Sequence, residues 1–206
     1  MRYRIVEVPI KPLTPTNAAG IGHVFTNFAE HEIEIVQWPA AGARSLEAGT
    51  GVGGGVVEGA FDCYWRGEVL KSRNHAVGRD YVLGWTTDPE QAREEATVGT
   101  SARPFVLIDL INYHSDGGQA FISRNQRPTV YLVAPPGDAV TPEDCVAFYS
   151  DCSIGLEVNP GVWHHAPLQV DEADTYDNKQ GRVHFCVTAN FLEEREVLLS
   201  VPLRLN

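Results

Sequence analysis

Residues 112–121 read Asn-Tyr-His-Ser-Asp-Gly-Gly-Gln-Ala-Phe, and this stretch is the most informative part of the chain. Side chains two positions apart on a β-strand point to the same face, so Asn112 and His114 can both face the interior of a barrel. The following pair of glycines predicts a turn that returns the chain, so that Gln119 enters the interior from the neighbouring strand. The stretch therefore predicts polar side chains from two strands that share one interior.

A second stretch, residues 159–165, reads Asn-Pro-Gly-Val-Trp-His-His. Together the two stretches resemble the paired motifs of the cupins, which are HxH, four residues and Glu, and then PxGxxH. Asn112 stands at the first His of this pattern, His114 at the second, Gln119 at the Glu and His164 at the final His. The resemblance implies an all-β fold, a cupin-like double-stranded β-helix or jelly-roll barrel with few short helices.

The same register implies a site for one divalent metal ion. Two imidazoles and an amide oxygen, from His114, His164 and Gln119, can hold nickel, zinc or manganese with positions left open for water or substrate. Gln in place of Glu removes a full negative charge, so we expect weaker metal binding than in other cupins. A metal-free site with the histidines as acid and base is one alternative. Half-buried structural histidines are the other.

Short β-favouring runs separated by Gly, Pro, Asn and Asp clusters recur along the chain. This pattern is typical of an antiparallel sandwich or barrel. The predicted strands are residues 4–8, 33–38, 63–70, 81–85, 105–113, 129–134, 155–158, 182–189 and 197–203.

Helical signals are scarce. Residues 88–95 and 141–144 each begin with a capping residue and a proline, which predicts two short helical segments. The glycine-rich residues 49–55 lack the GK[ST] ending of a phosphate loop, so we interpret them as a flexible turn. Residues 171–181 carry acids and amides without apolar periodicity and are predicted to form a surface loop.

Composition limits the class of protein. The 206 residues are 43% hydrophobic, which predicts one globular domain, with strands and loops in residues 1–104 and the motif-bearing barrel half in residues 105–206. A net charge of −11 and the lack of any basic cluster argue against a nucleic-acid partner. No apolar run has the length of a signal peptide or a membrane span, so we expect a cytoplasmic protein with no membrane partner. The four cysteines have no CxxC spacing and are predicted to be buried thiols: Cys63, Cys145, Cys152 and Cys186.

Residues 114–121 and 162–168 also resemble the ureidoglycolate lyase family. Its members carry a His, four residues, Gln-Ala-Phe stretch and a later V-W-H-H-P-L-like stretch, which here reads Val-Trp-His-His-Ala-Pro-Leu. The resemblance covers about residues 105–170. It implies a cupin-like enzyme, usually a homodimer, that releases urea from ureidoglycolate and leaves glyoxylate in purine (allantoin) breakdown.

The implied reaction needs a base for the substrate hydroxyl and an acid for the departing urea nitrogen. On this hypothesis a metal on His114, Gln119 and His164 binds the carboxylate and hydroxyl of the substrate. His165, or a bound water, then delivers the proton to the urea nitrogen.

The substrate carboxylate is expected to find a planar arginine, because a guanidinium matches two oxygens at once. Arg124 is the first candidate and Arg73 the second, and for each a solvated surface role is the alternative. Trp163 is predicted either to wall the site and exclude water or to pack in the core. Asn112 completes the substrate-binding set, while Tyr113 should face the opposite side of its strand.

One departure keeps other functions open. Family members usually have a Pro and a Lys just after the Phe, ahead of a Gly, whereas residues 123–127 here read Ser-Arg-Asn-Gln-Arg. A cupin isomerase, decarboxylase or dioxygenase acting on another small hydroxy or oxo acid is therefore an alternative. A non-catalytic cupin that binds a small acid is another, because Asn112 and Gln119 stand where imidazole and carboxylate are usual.

Overall fold

The computed structural model of the chain describes residues 3–36, 56–76, 78–94, 103–151, 153–181 and 186–205. These residues are almost entirely β-structure, which confirms the predicted fold class. In chain order the strands are Arg4–Glu7 (β1), Ile10–Pro12 (β2), Gly22–Phe25 (β3), Val56–Arg66 (β4), Val69–Asn74 (β5), Arg79–Trp85 (β6), Phe105–Ile108 (β7), Leu110–Tyr113 (β8), Gln119–Ser123 (β9), Thr129–Ala134 (β10), Val146–Ser150 (β11), Gly155–Val158 (β12), Trp163–His164 (β13), Leu168–Gln169 (β14), Ala173–Gly181 (β15), Val187–Asn190 (β16) and Val197–Pro202 (β17). The helical elements of these residues are a 3-10 helix at Pro142–Asp144 and an α-helix at Phe191–Arg195 (α1).

The described strands form two sheets. The larger has the order β1-β17-β7-β6-β5-β4-β15-β9-β12-β3, and the smaller has the order β16-β8-β13-β10-β11-β2, with β14 also paired to β10. Buried side chains of both sheets, such as Phe121 and Leu132, belong to one hydrophobic core, which extends from Val8 to Leu203 and so includes residues of both halves of the chain. Two sheets with one core between their inner faces are the layered architecture of a jelly roll, as the cupin resemblance implies.

Part of the outer face of the larger sheet is also covered. Ala120 packs with Phe25 and Ile33 in a second, smaller apolar cluster, whereas the next residue, Phe121, lies in the main core. Neighbouring residues of a strand point to opposite faces, so the second cluster lies on the outer face. We call residues 26–36, which pass over this face, the strap.

Two predicted strands are each divided in the structure. The run 63–70 contains the end of β4 and the start of β5, joined by a turn in which Gly67 has a φ of 58°, a conformation that glycine adopts readily. The run 105–113 breaks at Asp109, so that β7 belongs to the larger sheet and β8 to the smaller. Both halves of that run are apolar and partly or wholly buried, so hydrophobicity alone does not reveal the change of sheet.

The predicted surface loop at 171–181 is wrong. Residues 173–181 are β15, which pairs with both β4 and β9 in the larger sheet. Tyr176 and Asn178 are buried. The strand has few apolar residues because part of the interior that it faces is polar.

The remaining predicted strands differ in outcome. Five runs are confirmed, 4–8, 81–85, 129–134, 155–158 and 197–203, which correspond to β1, β6, β10, β12 and β17. Within 33–36 the only ladder contact is an isolated bridge between Ile35 and Gly117, so a strand there is wrong, and residues 37–38 lie outside the described residues. The end of the predicted run 182–189 coincides with the start of β16 at Val187, and residues 182–185 lie outside the described residues. The predicted turn at 49–55 also lies outside it.

The two predicted helical segments differ in outcome. The 3-10 helix confirms the segment predicted at 141–144. Residues 88–94 form an isolated turn instead, in which Gln91 N and Ala92 N both donate to Asp88 O. α1 is not among the predicted helical segments; its N-cap is Asn190, whose Oδ1 accepts from Glu193 N at 3.0 Å. Among the described residues, no helix combines the length and the apolar character that crossing a membrane requires.

Candidate active site

His114, Gln119 and His164 meet inside the barrel. His164 lies in β13, where it pairs with Asn112 of β8, and His114 directly follows β8. Gln119 begins β9, which belongs to the larger sheet. The prediction that Gln119 comes from a strand beside His114 is therefore wrong. The Gly117-Gly118 turn carries the chain from one sheet to the facing one, and the three side chains converge across the barrel.

The convergence is on one atom. Gln119 Oε1 lies 3.1 Å from His114 Nε2 and 3.0 Å from His164 Nε2. The two imidazole rings are nearly perpendicular, with centroids 5.2 Å apart. All three side chains are buried. Two ring nitrogens and one amide oxygen thus point at a common small volume.

Hydrogen bonds fix the orientation of two of these groups. His164 Nδ1 donates to the carbonyl of Val162 at 2.8 Å, so Nε2 is the nitrogen that carries the lone pair in the neutral ring. Gln119 Nε2 donates to Asn178 Oδ1 at 2.8 Å, which directs Gln119 Oε1 to the histidines. His114 Nδ1 is buried and makes no hydrogen bond within the described residues, although Asp116 Oδ1 lies 3.7 Å from it.

Burial lowers the pKa of His164 to about 3, with the neighbouring His114 adding to the shift. The His164 ring is therefore neutral at neutral pH, and its Nε2 lone pair faces the lone pairs of Gln119 Oε1. Two such acceptors 3.0 Å apart repel each other unless a proton or a cation lies between them. This contact fits a bound cation.

The donor set fits a borderline divalent ion in chemical type as well, because imidazole nitrogens and an amide oxygen are ordinary ligands of nickel, zinc and manganese. We expect these donors to bind a cation weakly, since none of them is an anion. In the described part of the chain, no group of three or more His, Cys, Asp and Glu side chains could hold a metal ion.

His165 is the third histidine of the site. Its Nδ1 donates to the carbonyl of Ala166 at 2.9 Å, which leaves Nε2 as a proton acceptor. Burial lowers the pKa of His165 to about 4. At neutral pH this side chain is therefore a neutral base.

The histidines line a cavity of about 340 Å³, which suits a small molecule. Its polar wall adds amides and a thiol to the three histidines and Gln119, from Asn74, Asn112, Gln180 and Cys186. Its larger apolar wall comes from Phe61, Tyr81, Val82, Leu83, Leu110, Phe121 and Ala166. Among the described lining residues there is no Lys or Arg.

The two arginines predicted to bind substrate lie elsewhere. Arg124 forms an ion pair with Asp177, and Arg73 forms one with Asp80 at 3.3 Å; both guanidinium groups are exposed. Arg73 precedes Asn74, which lines the cavity, so strand alternation turns the Arg73 side chain to the outer face. Neither arginine is in the cavity wall, because nearby carboxylates hold both on the surface of the larger sheet.

Trp163 packs in the core and does not form part of the cavity wall. Its ring is buried against Tyr113, with centroids 4.5 Å apart, and its Nε1 donates to the carbonyl of Gly137 at 3.0 Å. Asn112, by contrast, does line the cavity, as its place in the motif predicts. Tyr113 therefore faces away from His114, in agreement with strand alternation.

Several residues at the site are not among those predicted from the sequence. Asn178 and Gln180 belong to the segment interpreted as a loop, and Asn74 follows the divided run 63–70. The signal that could have found them is the period of two along β15, where Asp174, Tyr176, Asn178 and Gln180 share one face. Cys186 is exposed at the cavity, so its prediction as a buried thiol is wrong; Cys63 and Cys145 are buried as predicted, and Cys152 lies outside the described residues.

Comparison with known proteins identifies the family of the chain. The family model "Ureidoglycolate lyase" matches residues 6–193. The ureidoglycolate lyase of Azotobacter vinelandii is 32% identical over 120 residues, which are 57% of this chain and 72% of that relative. That of Pseudomonas paraeruginosa is 32% identical over 132 residues, 61% of this chain and 78% of the relative. That of Stutzerimonas stutzeri is 33% identical over 96 residues, 46% of this chain and only 56% of the relative. Since the family model extends over most of its length, the chain belongs to the ureidoglycolate lyase family.

Proposed function

We propose that this chain cleaves ureidoglycolate to glyoxylate and urea in the cavity beneath His114, Gln119 and His164. The observation that carries the proposal is the convergence of both Nε2 atoms on Gln119 Oε1, in a cavity of about 340 Å³, in a member of this family. A substrate with one carboxylate, one hydroxyl and one ureido group is small enough for such a cavity.

We further propose that His114 Nε2, His164 Nε2 and Gln119 Oε1 hold one divalent cation, such as nickel, zinc or manganese. When bound, such an ion lowers the pKa of a substrate hydroxyl and offsets the charge of a carboxylate. A set of two imidazole rings and an amide predicts modest affinity, because no ligand contributes a negative charge. Elemental analysis of protein purified without chelator tests the assignment, and protein free of metal that turns over at full rate would contradict it.

His165 is proposed as the group that moves the proton. Because its pKa is about 4, His165 begins unprotonated, and its Nε2 accepts the proton of the substrate hydroxyl. The oxygen then forms the carbonyl of glyoxylate as the carbon–nitrogen bond breaks and its electron pair leaves with the urea nitrogen. His165 returns the proton to that nitrogen, so one residue serves as base and then as acid.

Amides and apolar side chains are proposed to hold the substrate. Asn74 Oδ1 accepts from Ala76 N at 2.9 Å, which leaves the Asn74 amide nitrogen as a donor at the cavity wall. Asn112 and Gln180 offer further donors to the carboxylate and the ureido group. Phe61 and Phe121 exclude water from the reacting atoms, which strengthens the electrostatic interactions there.

The direct test is turnover. Purified protein is incubated with racemic ureidoglycolate, with nickel, zinc or manganese added in separate reactions, and glyoxylate and urea are measured. We expect equal amounts of the two products. His164→Ala should abolish turnover with circular dichroism unchanged, while the exposed His23→Ala serves as the matched control. Absence of product with every metal, or full activity of His164→Ala, would overturn the proposal.

The family resemblance also supports a homodimer, a cytoplasmic location and a role in purine breakdown as parts of the proposal. Light scattering coupled to size-exclusion chromatography tests the first. A single species of about 22.6 kDa, the mass of one chain, would contradict the dimer.

A further inference from the structure

A buried carboxylate lies outside the cavity, on the outer face of the larger sheet. Glu157 is 3% exposed. Its strand neighbours Leu156 and Val158 belong to the main core, so the Glu157 side chain points to the opposite face, beneath the strap. Burying an ionised carboxylate is costly unless it is paired, and the proposed reaction makes no use of this one.

Both oxygens of Glu157 bind the strap. His31 Nε2 donates to Oε2 at 2.8 Å, and the backbone N–H of Glu34 donates to Oε1 at 2.9 Å. His31 is additionally stacked on Phe25, with ring centroids 4.1 Å apart. Glu157 is therefore the anchor of the strap on β12.

A second buried charge holds the same segment from β15. Lys179 Nζ donates to the carbonyls of Phe28 and His31 at 3.1 and 2.9 Å, and lies 4.8 Å from the centre of the Phe28 ring. The two anchors act on different groups of the strap, one on a side chain and a backbone N–H and the other on carbonyls. The strap is thus fixed along its length, up to Glu34.

From there the strap binds the turn between two site residues. Gly118 N donates to the carbonyl of Glu34 at 2.8 Å, and Val36 N donates to the carbonyl of Asp116 at 3.0 Å. The turn at 116–118 connects His114 with Gln119. The strap and the turn form a short antiparallel contact through Ile35 and Gly117.

The carboxylate also lies directly against the turn. A Cβ atom placed on Gly118 would be 2.5 Å from Glu157 Oε1. One placed on Gly117 would be 2.7 Å from the Cα of Gly181. Close packing on both sides leaves the turn little room to shift. Its position therefore depends on Glu157 on one side and on Gly181 on the other.

We infer that Glu157, held by His31, is a positioning residue for this site: it fixes the strap, and the strap fixes the turn that sets His114 and Gln119 against His164. The inference rests on the proposed function for its effect on turnover. Its effect on the turn and on the cation site can be measured separately.

The test uses a pair of variants at His31, which lies at the edge of the buried pair. His31→Ala removes the donor to Glu157, whereas His31→Gln keeps a side-chain N–H. Loss of a residue that supports a metal ligand commonly weakens metal binding or activity by about 10–100-fold. We expect His31→Ala to weaken nickel binding, measured by calorimetry, and to lower kcat within that range, with KM changed less. His31→Gln should restore most of both.

A third measurement reports on the turn itself. Hydrogen exchange of the Gly118 amide, whose bond to Glu34 closes the contact, should be about tenfold faster in His31→Ala. Glu157→Gln should behave similarly, and it replaces His31→Ala if that variant does not fold. The exposed Glu172→Gln is the control and should match the wild type. Unchanged Gly118 exchange and nickel affinity in His31→Ala and Glu157→Gln would overturn the inference. If both quantities change while wild-type protein cleaves no ureidoglycolate, the positioning role stands and the proposed function fails.

Discussion

The side-chain nitrogen of Gln119 donates a hydrogen bond to Asn178 Oδ1 at 2.8 Å, and this contact directs the Gln119 oxygen to His114 and His164. An amide side chain can present either its oxygen or its nitrogen to a neighbour. Only the oxygen can be a metal ligand. Asn178, on β15, therefore determines which end of Gln119 the two histidines meet.

Replacement of Asn178 should accordingly affect the cation site without touching a ligand. Asn178→Leu removes the acceptor and leaves the buried Gln119 nitrogen unpaired, so we expect nickel affinity to fall about 10–100-fold and stability to fall by about 1–3 kcal/mol. Asn178→Asp keeps an acceptor for Gln119 and should retain the affinity. Calorimetric titration of chelator-treated protein measures both. Equal affinities for the two variants would contradict this role of Asn178.

His165 should separate proton transfer from metal binding. In His165→Asn, the amide can still donate to the carbonyl of Ala166 in place of Nδ1, but the basic Nε2 is gone. Loss of a general acid–base group typically costs about 10²–10⁴-fold in rate, so kcat should fall by that factor. Nickel affinity should stay within about twofold of the wild type, because His165 is not among the converging ligands. An equal loss of affinity and kcat would instead make His165 a ligand.

Arg124 should prove dispensable for substrate binding. Its exposed guanidinium is paired with Asp177 on the surface of the larger sheet, away from the cavity wall. Arg124→Ala should therefore change KM for ureidoglycolate by less than about twofold, and an exposed ion pair of this kind contributes at most about 1 kcal/mol to stability. Asn74→Ala is the useful comparison, since it removes an amide from the wall and should raise KM. A large rise in KM for Arg124→Ala, measured by steady-state kinetics, would show instead that Arg124 binds the substrate carboxylate.

Much of the fold could be predicted because strands with apolar residues and clear ends are visible in a sequence. β10 and β12 coincide with predicted runs, since each is short, largely apolar and bounded by turn residues. β15 could not be predicted in the same way. Its inward residues include Asn178 and Gln180, and their partners and the cavity they face come from distant parts of the chain. A polar segment of sequence indicates a loop only where the protein interior next to that segment is apolar.

The site shows a similar division. Motif spacing predicted that His114, Gln119 and His164 belong together, because the spacing reflects a turn and two strands that any such barrel contains. Spacing does not show which face of a sheet a side chain on another strand occupies. Which of the adjacent residues Arg73 and Asn74 lines the cavity depends on that face. In the structure Asn74 lines the cavity and Arg73 lies on the surface.

Acid should destabilise the metal-free protein through the buried histidines. Burial lowers the pKa of His164 to about 3 and that of His165 to about 4, whereas an unfolded chain has histidine pKa values near 6.5. Between about pH 6.5 and 4 the unfolded state therefore binds protons that the folded state does not. The free energy of unfolding must then rise with pH across this window, and the stabilisation is fully present only above it.

Each of these histidines should contribute a slope of about 1 kcal/mol per pH unit. Urea unfolding of chelator-treated protein at several values between pH 4.5 and 7.5 measures that slope, and carboxyl groups add their own share to it. His165→Asn isolates one contribution, because the other titrating groups are common to both proteins: the slope for the variant should be smaller by one histidine's share. His23→Ala, at an exposed position on β3, is the control and should leave the slope unchanged. If the wild type and His165→Asn lose stability in parallel below pH 6.5, burial does not lower the pKa of His165 in the folded protein.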